Sequence, residues 1–467
     1  MNQLGNGTPG DGRDILRDLN RQTYKVVNDQ SIAVGGVQTR GPISGVEAYG
    51  TSLTSARIVW TSQSPVRIFR KKSTQSAYSQ IAAVRTPPYD DVLPEKGVVY
   101  DYLLVDDYGH EAKMRVPMPY PTAAKVWTPV YDSTGVLYAM VDDGSQSLRK
   151  STDGGRTWTV VKSGGGIDRL FIFGDQIYAT SSFTWSSYRS KLWKIDKAGT
   201  GSWTQQQDAS GAPLVLRNPG GDSYPAYIYP WAFARSKDGV FAFGLTTQYN
   251  APPWTSANAS NSVYHSSDGL KFTEIPFVPN GSTYARHTHG VAYNHILDEW
   301  FVAVGETVGK CYRVSKNWGT WTEVLDMACT SIFVTPSGDY LVGTDTPNQC
   351  RIYRIGVRGD VSVALALPSG DDAVQSWGIS GWSDGEIWAS VVPATAGDTT
   401  TPINLYVSQD HGYTWRRVWR STGAVLFPGH IARDYYSGLI TGQHIVMDQY
   451  DSSSRNSNVW DRLGRAS

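Results

Sequence analysis

Asp222, Glu306 and Asp371, three acids in loop-like stretches, are the candidates for acid–base chemistry in this chain. Two opposed carboxylates can hydrolyse a glycosidic bond, and their separation decides the stereochemical outcome. Arg189, Arg217 and Arg286 are loop cations whose spacing does not mark them as a cluster. His287 and His289 flank Thr288; alternate residues of a strand share a face, so both rings can point together. No third histidine or carboxylate follows at a metal-ligand spacing, so no metal is expected. The fuller signal is aromatic. Trp185, Tyr188, Tyr227, Tyr229, Trp231, Tyr249 and Trp254 stand among Asn, Ser and Asp. Ring faces stack on the CH-rich faces of sugars while polar neighbours hydrogen-bond the hydroxyls. These aromatic residues are the candidate ligand-binding set; the bland alternative is that they brace long loops or make protein contacts. No catalytic residue is assigned.

The elements that must position these residues repeat. Ser151-Thr152-Asp153-Gly154-Gly155-Arg156-Thr157-Trp158 and Ser408-Gln409-Asp410-His411-Gly412-Tyr413-Thr414-Trp415 both fit Ser-x-Asp-x-Gly-x-Thr-Trp. Shortened versions begin at Ser266 (Ser266-Ser267-Asp268-Gly269) and Ser315 (Ser315-Lys316-Asn317-Trp318-Gly319-Thr320-Trp321). Ser and Asp side chains close tight turns on nearby N–H groups, and Gly supplies backbone conformations that other residues resist. Thr-Trp then opens a strand. Around these turns, units of about 40–60 residues recur, with starts near 124, 165, 227, 286, 328, 374 and 426. Such periods signal a β-propeller, whose blades bury their faces only against one another. Seven four-stranded blades are the expected count and six the next; the last unit is weakly patterned, so residues after 450 are expected to complete the first blade or to hang loose.

The eight-residue phrase resembles the Asp-box (BNR) repeat of sialidase-like β-propellers. The resemblance implies that Asp153 and Asp410 are structural, in the turn between the third and fourth strands and away from the ligand face. Turns after strands 1 and 3 of a blade share one face, so ligand contacts are expected on the other. The long aromatic stretches fall there. Sialidases of this family carry an early Phe/Tyr-Arg-Ile-Pro motif, whereas the first unit here reads Lys125-Val126-Trp127-Thr128-Pro129. That departure leans the expectation away from an enzyme.

Composition narrows the partners. Charged residues make up 18% of 467 residues and the formal net charge is zero, which argues against nucleic-acid or polyanion binding over the whole surface. With 47 Gly, 17 Trp and 27 Tyr, the chain suits an all-β protein rich in tight turns. Cys311, Cys329 and Cys350 have no metal spacing and read as small buried side chains. No cofactor is expected. The polar N-terminus lacks a signal-peptide core, and no stretch approaches the roughly 18 apolar residues of a membrane span.

Ahead of the propeller, residues 1–38 read as an extended segment followed by a short helix near Asp14–Asp29, suited to anchoring or oligomerisation. Residues 39–118 read as a β-sandwich, with Trp60 late in its second strand and a last hairpin turn at Asp106-Asp107-Tyr108-Gly109. This part resembles a fibronectin type III domain, which implies a spacer or adhesive module. Pro117–Pro121 reads as a stiff linker and 119–467 as the propeller. The combination resembles bacteriophage tail and virion proteins. It implies folding in the host cytoplasm, assembly with other virion proteins through the N-terminal segment, homo-oligomers, and a propeller touching a host-surface glycan or receptor without cleaving it. The alternative is a propeller glycoside hydrolase. A bacterial scaffold with no sugar ligand is the third reading.

Overall fold

The computed structural model describes residues 42–463 except 53, 122–124, 143–145, 165–166, 182–189, 217–225, 248–261, 276–286, 306–308, 346–349, 368–373, 394–402, 422–429 and 451–454. The helix expected near Asp14–Asp29 and the anchoring segment lie outside the described residues. Those described form strands and turns, without a helix.

Seven antiparallel blades, each with four strands in order, follow one another among the described residues. They occupy 125–163, 167–205, 233–275, 287–325, 329–366, 374–421 and 430–461, the seventh taking its fourth strand from Tyr120–Pro121. The chain is therefore an all-β protein with a seven-bladed β-propeller, as the spacing of the units implies. Inner strands are sandwiched between neighbouring blades and read as unbroken apolar runs. Trp300 to Val304 in the second strand of blade 4 are all buried. Outer strands are more open: Val361 and Val363 at the rim of blade 5 are about half exposed. The three cysteines are buried and form no disulfide.

Ring closure differs from the sequence expectation. Residues 444–461 belong to blade 7 as a hairpin and do not complete the first blade. Instead the chain before blade 1 completes the last one, with Tyr120 opposite Val459 and Pro121 opposite Asn458. Pro117–Pro121 is thus a structural part of the ring and not a linker. Its Met118 is fully buried. Proline suits this place because an edge strand leaves one side of its backbone without ladder bonds.

The N-terminal unit is a two-sheet sandwich. Ser44–Ser52, Ser55–Thr61 and Tyr89–Val92 form one sheet; Ser79–Val84, Val66–Lys72, Val99–Asp106 and Glu111–Pro117, in that spatial order, form the other. Trp60, Ile58, Ile68, Tyr102 and Leu104 fill the space between them. The Tyr102 hydroxyl donates to buried Asp91 at 2.7 Å, and the Arg70 guanidinium holds the same carboxylate. Asp106 accepts the Tyr108 and His110 N–H groups and makes the last hairpin turn, as expected.

The sandwich does not stand off from the propeller. Its strand Ser44–Ser52 joins the outer strand of blade 6 in parallel at Gly50 and Trp419, making one seven-stranded sheet. The apolar core is shared, running from Trp60 through Met118 to Trp419 and Trp460. Arg416 donates to the Arg115 carbonyl at 2.9 Å, Arg115 to the Leu463 carbonyl at 3.0 Å, and Arg417 to Glu47 at 2.6 Å across the same joint.

Candidate functional site

The repeated eight-residue turns lie between the third and fourth strands of blades 1 and 6. Asp153 accepts from Ser151 Oγ, the Arg156 and Thr157 N–H groups and Thr157 Oγ1 at 2.7–3.1 Å, and Trp158 Nε1 donates to the Gly155 carbonyl. Asp410 repeats this pattern with Ser408, Tyr413 and Thr414, and Trp415 with Gly412. Burial alone would raise the Asp153 carboxyl; the Thr157 hydroxyl and N–H with the Ser151 hydroxyl outweigh it and bring it down to about 2. Both oxygens of each carboxylate are engaged within its own turn, which is a structural use of these acids. The turns also lock blades together. Gly269 in the shortened turn of blade 3 accepts the Tyr178 hydroxyl of blade 2 at 2.9 Å, and Gly412 packs against Leu341 of blade 5.

The opposite face is shaped by a recurrent bulge. In blades 1, 2, 4, 5 and 6 the first strand carries one more residue than its partner near the end remote from these turns. A bulge leaves the extra residue out of the ladder and re-aims its side chain. In blade 4 that residue is His289, and in blade 6 it is Trp377. The simple alternation expected to align His287 with His289 is broken there. The His287 side chain lies outside the described residues.

These bulged residues meet the chain leading into blade 3. Tyr229 stacks on Trp231 with centroids 5.0 Å apart and planes 15° apart. Trp377 meets both rings edge-on, at 5.7 and 5.4 Å. Blades 3 and 6 are not neighbours, so the Trp231–Trp377 contact spans the propeller axis. Polar groups border the stack. Trp377 Nε1 donates to Gln375 Oε1 at 2.6 Å, and Gln375 Nε2 to the Asp345 carbonyl at 3.0 Å. Asp345 Oδ2 lies 3.3 Å from His289 Nε2, while His289 Nδ1 lies 3.1 Å from the Cys329 carbonyl. Each imidazole nitrogen faces an oxygen. The His289 ring is 6.0 Å from Tyr229.

Below this stack the axis is filled. Arg433 of blade 7 reaches across to the Ile332 carbonyl of blade 5 at 2.8 Å. Burial lowers its pKa, and Tyr435 and Asp434 oppose that shift. Tyr435 packs 5.1 Å from Phe171 of blade 2, and Phe173 lies 4.9 Å from Phe233 of blade 3. At the far end His295 of blade 4 approaches the Tyr436 carbonyl at 2.8 Å. The described axis is a packed core.

Of the aromatic residues singled out in the sequence, Tyr229 is half-buried at this face. Trp231 needs a correction. At 2% exposure it backs the Tyr229 ring and does not present a surface of its own. Tyr227 pairs with Thr246 in a two-stranded ladder beside it, and its side chain lies outside the described residues. Trp185, Tyr188, Tyr249 and Trp254 lie outside them too, as do Asp222, Glu306, Asp371, Arg189, Arg217 and Arg286. Gln375, Trp377 and Asp345 were missed, because the bulge that aims Trp377 is a property of pairing and not of local pattern. Among the described residues, no group of three or more His, Cys, Asp or Glu side chains is placed to hold a metal.

No family model matches the chain, and neither does any curated protein. Solved structures similar to it include virginiamycin B lyase from Staphylococcus aureus, in a catalytically inactive form with quinupristin, at 13% identity and a TM-score of 0.46 over 74% of this chain and 98% of that one. YCF48 from Cyanidioschyzon merolae is similar at 12% identity and 0.45, over 74% and 98%. A putative TolB from Agrobacterium tumefaciens is similar at 13% identity and 0.39, over 66% and 95%.

Proposed function

We propose that this chain is a non-catalytic recognition protein, a phage-like tail or virion component whose propeller touches a host-surface carbohydrate or receptor at the face bearing Tyr229. The observation that carries the reading is the Tyr229 ring. It is half-buried, held rigid by Trp231 and Trp377, and bordered by the polar series His289, Asp345 and Gln375. A rigid aromatic face beside fixed polar groups matches what a pyranose ring offers: a CH-rich face and a rim of hydroxyls.

In the same reading the Ser-x-Asp-x-Gly-x-Thr-Trp turns are Asp boxes, supported by the matching hydrogen bonds of Asp153 and Asp410. The sandwich is a fibronectin type III-like domain, supported by its three-plus-four strand arrangement and by Trp60 in its core. The virion assignment rests on the combination of the two. Docking through residues 1–38 to other tail proteins, homo-oligomers and assembly in a host cytoplasm belong to the same proposal.

The test is to incubate the full chain with a panel of surface glycans, recording retention and the mass of any released sugar. Retention without release is the expected result. Released oligosaccharide overturns the non-catalytic reading in favour of a glycoside hydrolase using acids such as Asp222, Glu306 or Asp371. Neither retention nor release removes the glycan and leaves protein contact as the role of the aromatic face.

A further inference from the structure

A groove of about 680 Å³ lies where the sandwich meets the outer strand of blade 6. Lys113, Met114 and Arg115 of the sandwich strand Glu111–Pro117 form one wall, with Tyr78 beside them. Trp415 and Arg416, at the start of the outer strand of blade 6, form the other. Most charges here are matched. Arg115 Nε meets Asp101 at 2.7 Å, and Arg417 meets Glu47 at 2.6 Å. Lys113 is exposed, with Glu111 at 3.5 Å.

Arg416 is not matched. Its one hydrogen bond goes to the Arg115 carbonyl, and no carboxylate pairs with it among the described residues. Glu386, the acid whose field reaches it, hydrogen-bonds Trp388 Nε1 at 2.9 Å and lies 3.6 Å from Arg462. Burial lowers the Arg416 pKa to about 10; the Glu386 charge opposes that shift and the neighbouring Arg115 charge adds to it. Arg416 is partly buried, so most of its N–H groups remain available to the groove, whose four lining cations, Lys113, Arg115, Arg416 and Arg417, outnumber its two acids, Glu47 and Asp101.

We propose that this groove is a binding site for a monosaccharide-sized organic acid, its carboxylate seated between Arg416 and Lys113 and its ring lying among Tyr78, Met114 and Trp415. Guanidinium forks match carboxylate geometry in two parallel hydrogen bonds. The volume falls in the range of small-molecule sites, far larger than a bare ion needs. Because one wall is sandwich and the other propeller, the bound acid braces the joint. The site is independent of the aromatic face.

The experiment is calorimetric titration and thermal unfolding of the full chain with glucuronate, inorganic sulfate and neutral glucose. Glucuronate is expected to bind and raise the melting temperature, sulfate to bind more weakly and glucose not to bind. Arg416→Gln should weaken glucuronate at least about tenfold, the scale of a lost charged hydrogen bond. Lys113→Gln, at an exposed position, should weaken it about twofold to threefold. Tyr229→Ala should leave it unchanged, which separates this site from the propeller face. If Arg416→Gln does not fold, Arg416→Lys, which keeps the charge and loses the fork, and Lys113→Gln decide. Absence of glucuronate binding, or equal affinity in wild type and the Arg416 variants, overturns the proposal. Sulfate binding as tightly as glucuronate overturns the organic-acid assignment in favour of a simple ion site.

Discussion

Gly50 of the sandwich pairs with Trp419 of blade 6, and the indole occupies the place a side chain at residue 50 would need, 2.4 Å from a Cβ built there. The close approach fuses two sheets into one and lets the core run unbroken from Trp60 to Trp460. Gly50→Ala must displace the ring. Overpacking of this kind costs about 1–3 kcal/mol. The cost should fall on the joint: hydrogen exchange rises in 44–52 and 416–421, and unfolding splits into two transitions while blades 2–4 keep their protection. A single unshifted transition would show that the sandwich is held elsewhere.

Closure of the ring by Tyr120–Pro121 gives a second expectation. Replacing 119–121 with three glycines removes two fixed proline backbones, about 1–2 kcal/mol. Exchange should quicken first at 455–461, the strand that pairs with Tyr120. Unchanged protection of that strand would mean that blade 7 closes without its fourth strand.

How much of this was legible in the sequence follows from how local each signal is. The expected unit starts at 124, 165, 286, 328 and 374 fall within two residues of the observed first strands, because each blade writes its own apolar run and turn. The eight-residue turns were legible for the same reason. Tyr120–Pro121 was not, since two residues with a proline carry no strand pattern and their partner lies at the other end of the chain. The bulges that aim His289 and Trp377 exist only in register with a second strand. Arg433 went unnoticed because a lone arginine reads as a solvated side chain until the fold encloses it.

The turns make acid stability predictable in sign. Asp153 has a folded pKa of about 2, below its ordinary 3.8, and Asp268 and Asp410 are shifted in the same direction. A depressed carboxyl contributes stability that is fully present above the unfolded value and is lost as pH falls through the folded one. Stability should therefore decline between about pH 4 and pH 2. Asp153→Asn combined with Asp410→Asn should flatten that decline and lower stability at neutral pH by about 1–2 kcal/mol per site, the scale of a lost turn-capping side chain. Denaturant titrations at several pH values measure both. An acid limb as steep as wild type would assign it to other carboxylates.

Tyr229 and Trp231 touch, yet substitution should separate them. Tyr229 is half-buried, and Tyr229→Ala removes the face offered to a ligand while Trp231 and Trp377 still pack against each other at 5.4 Å. Trp231 is enclosed among Trp377, Val392 and Ile403. Trp231→Ala opens a cavity there, at a cost of about 3–5 kcal/mol. If this face recognises a glycan, Tyr229→Ala loses retention with little change in melting temperature, whereas Trp231→Ala lowers the melting temperature and loses retention only as the platform above it loosens. Asp345→Asn keeps the shape of the polar border and removes its charge, so its effect on retention reports whether the border or the ring governs binding. Full retention by Tyr229→Ala would remove the aromatic platform as the contact surface, whatever the stability of the variants.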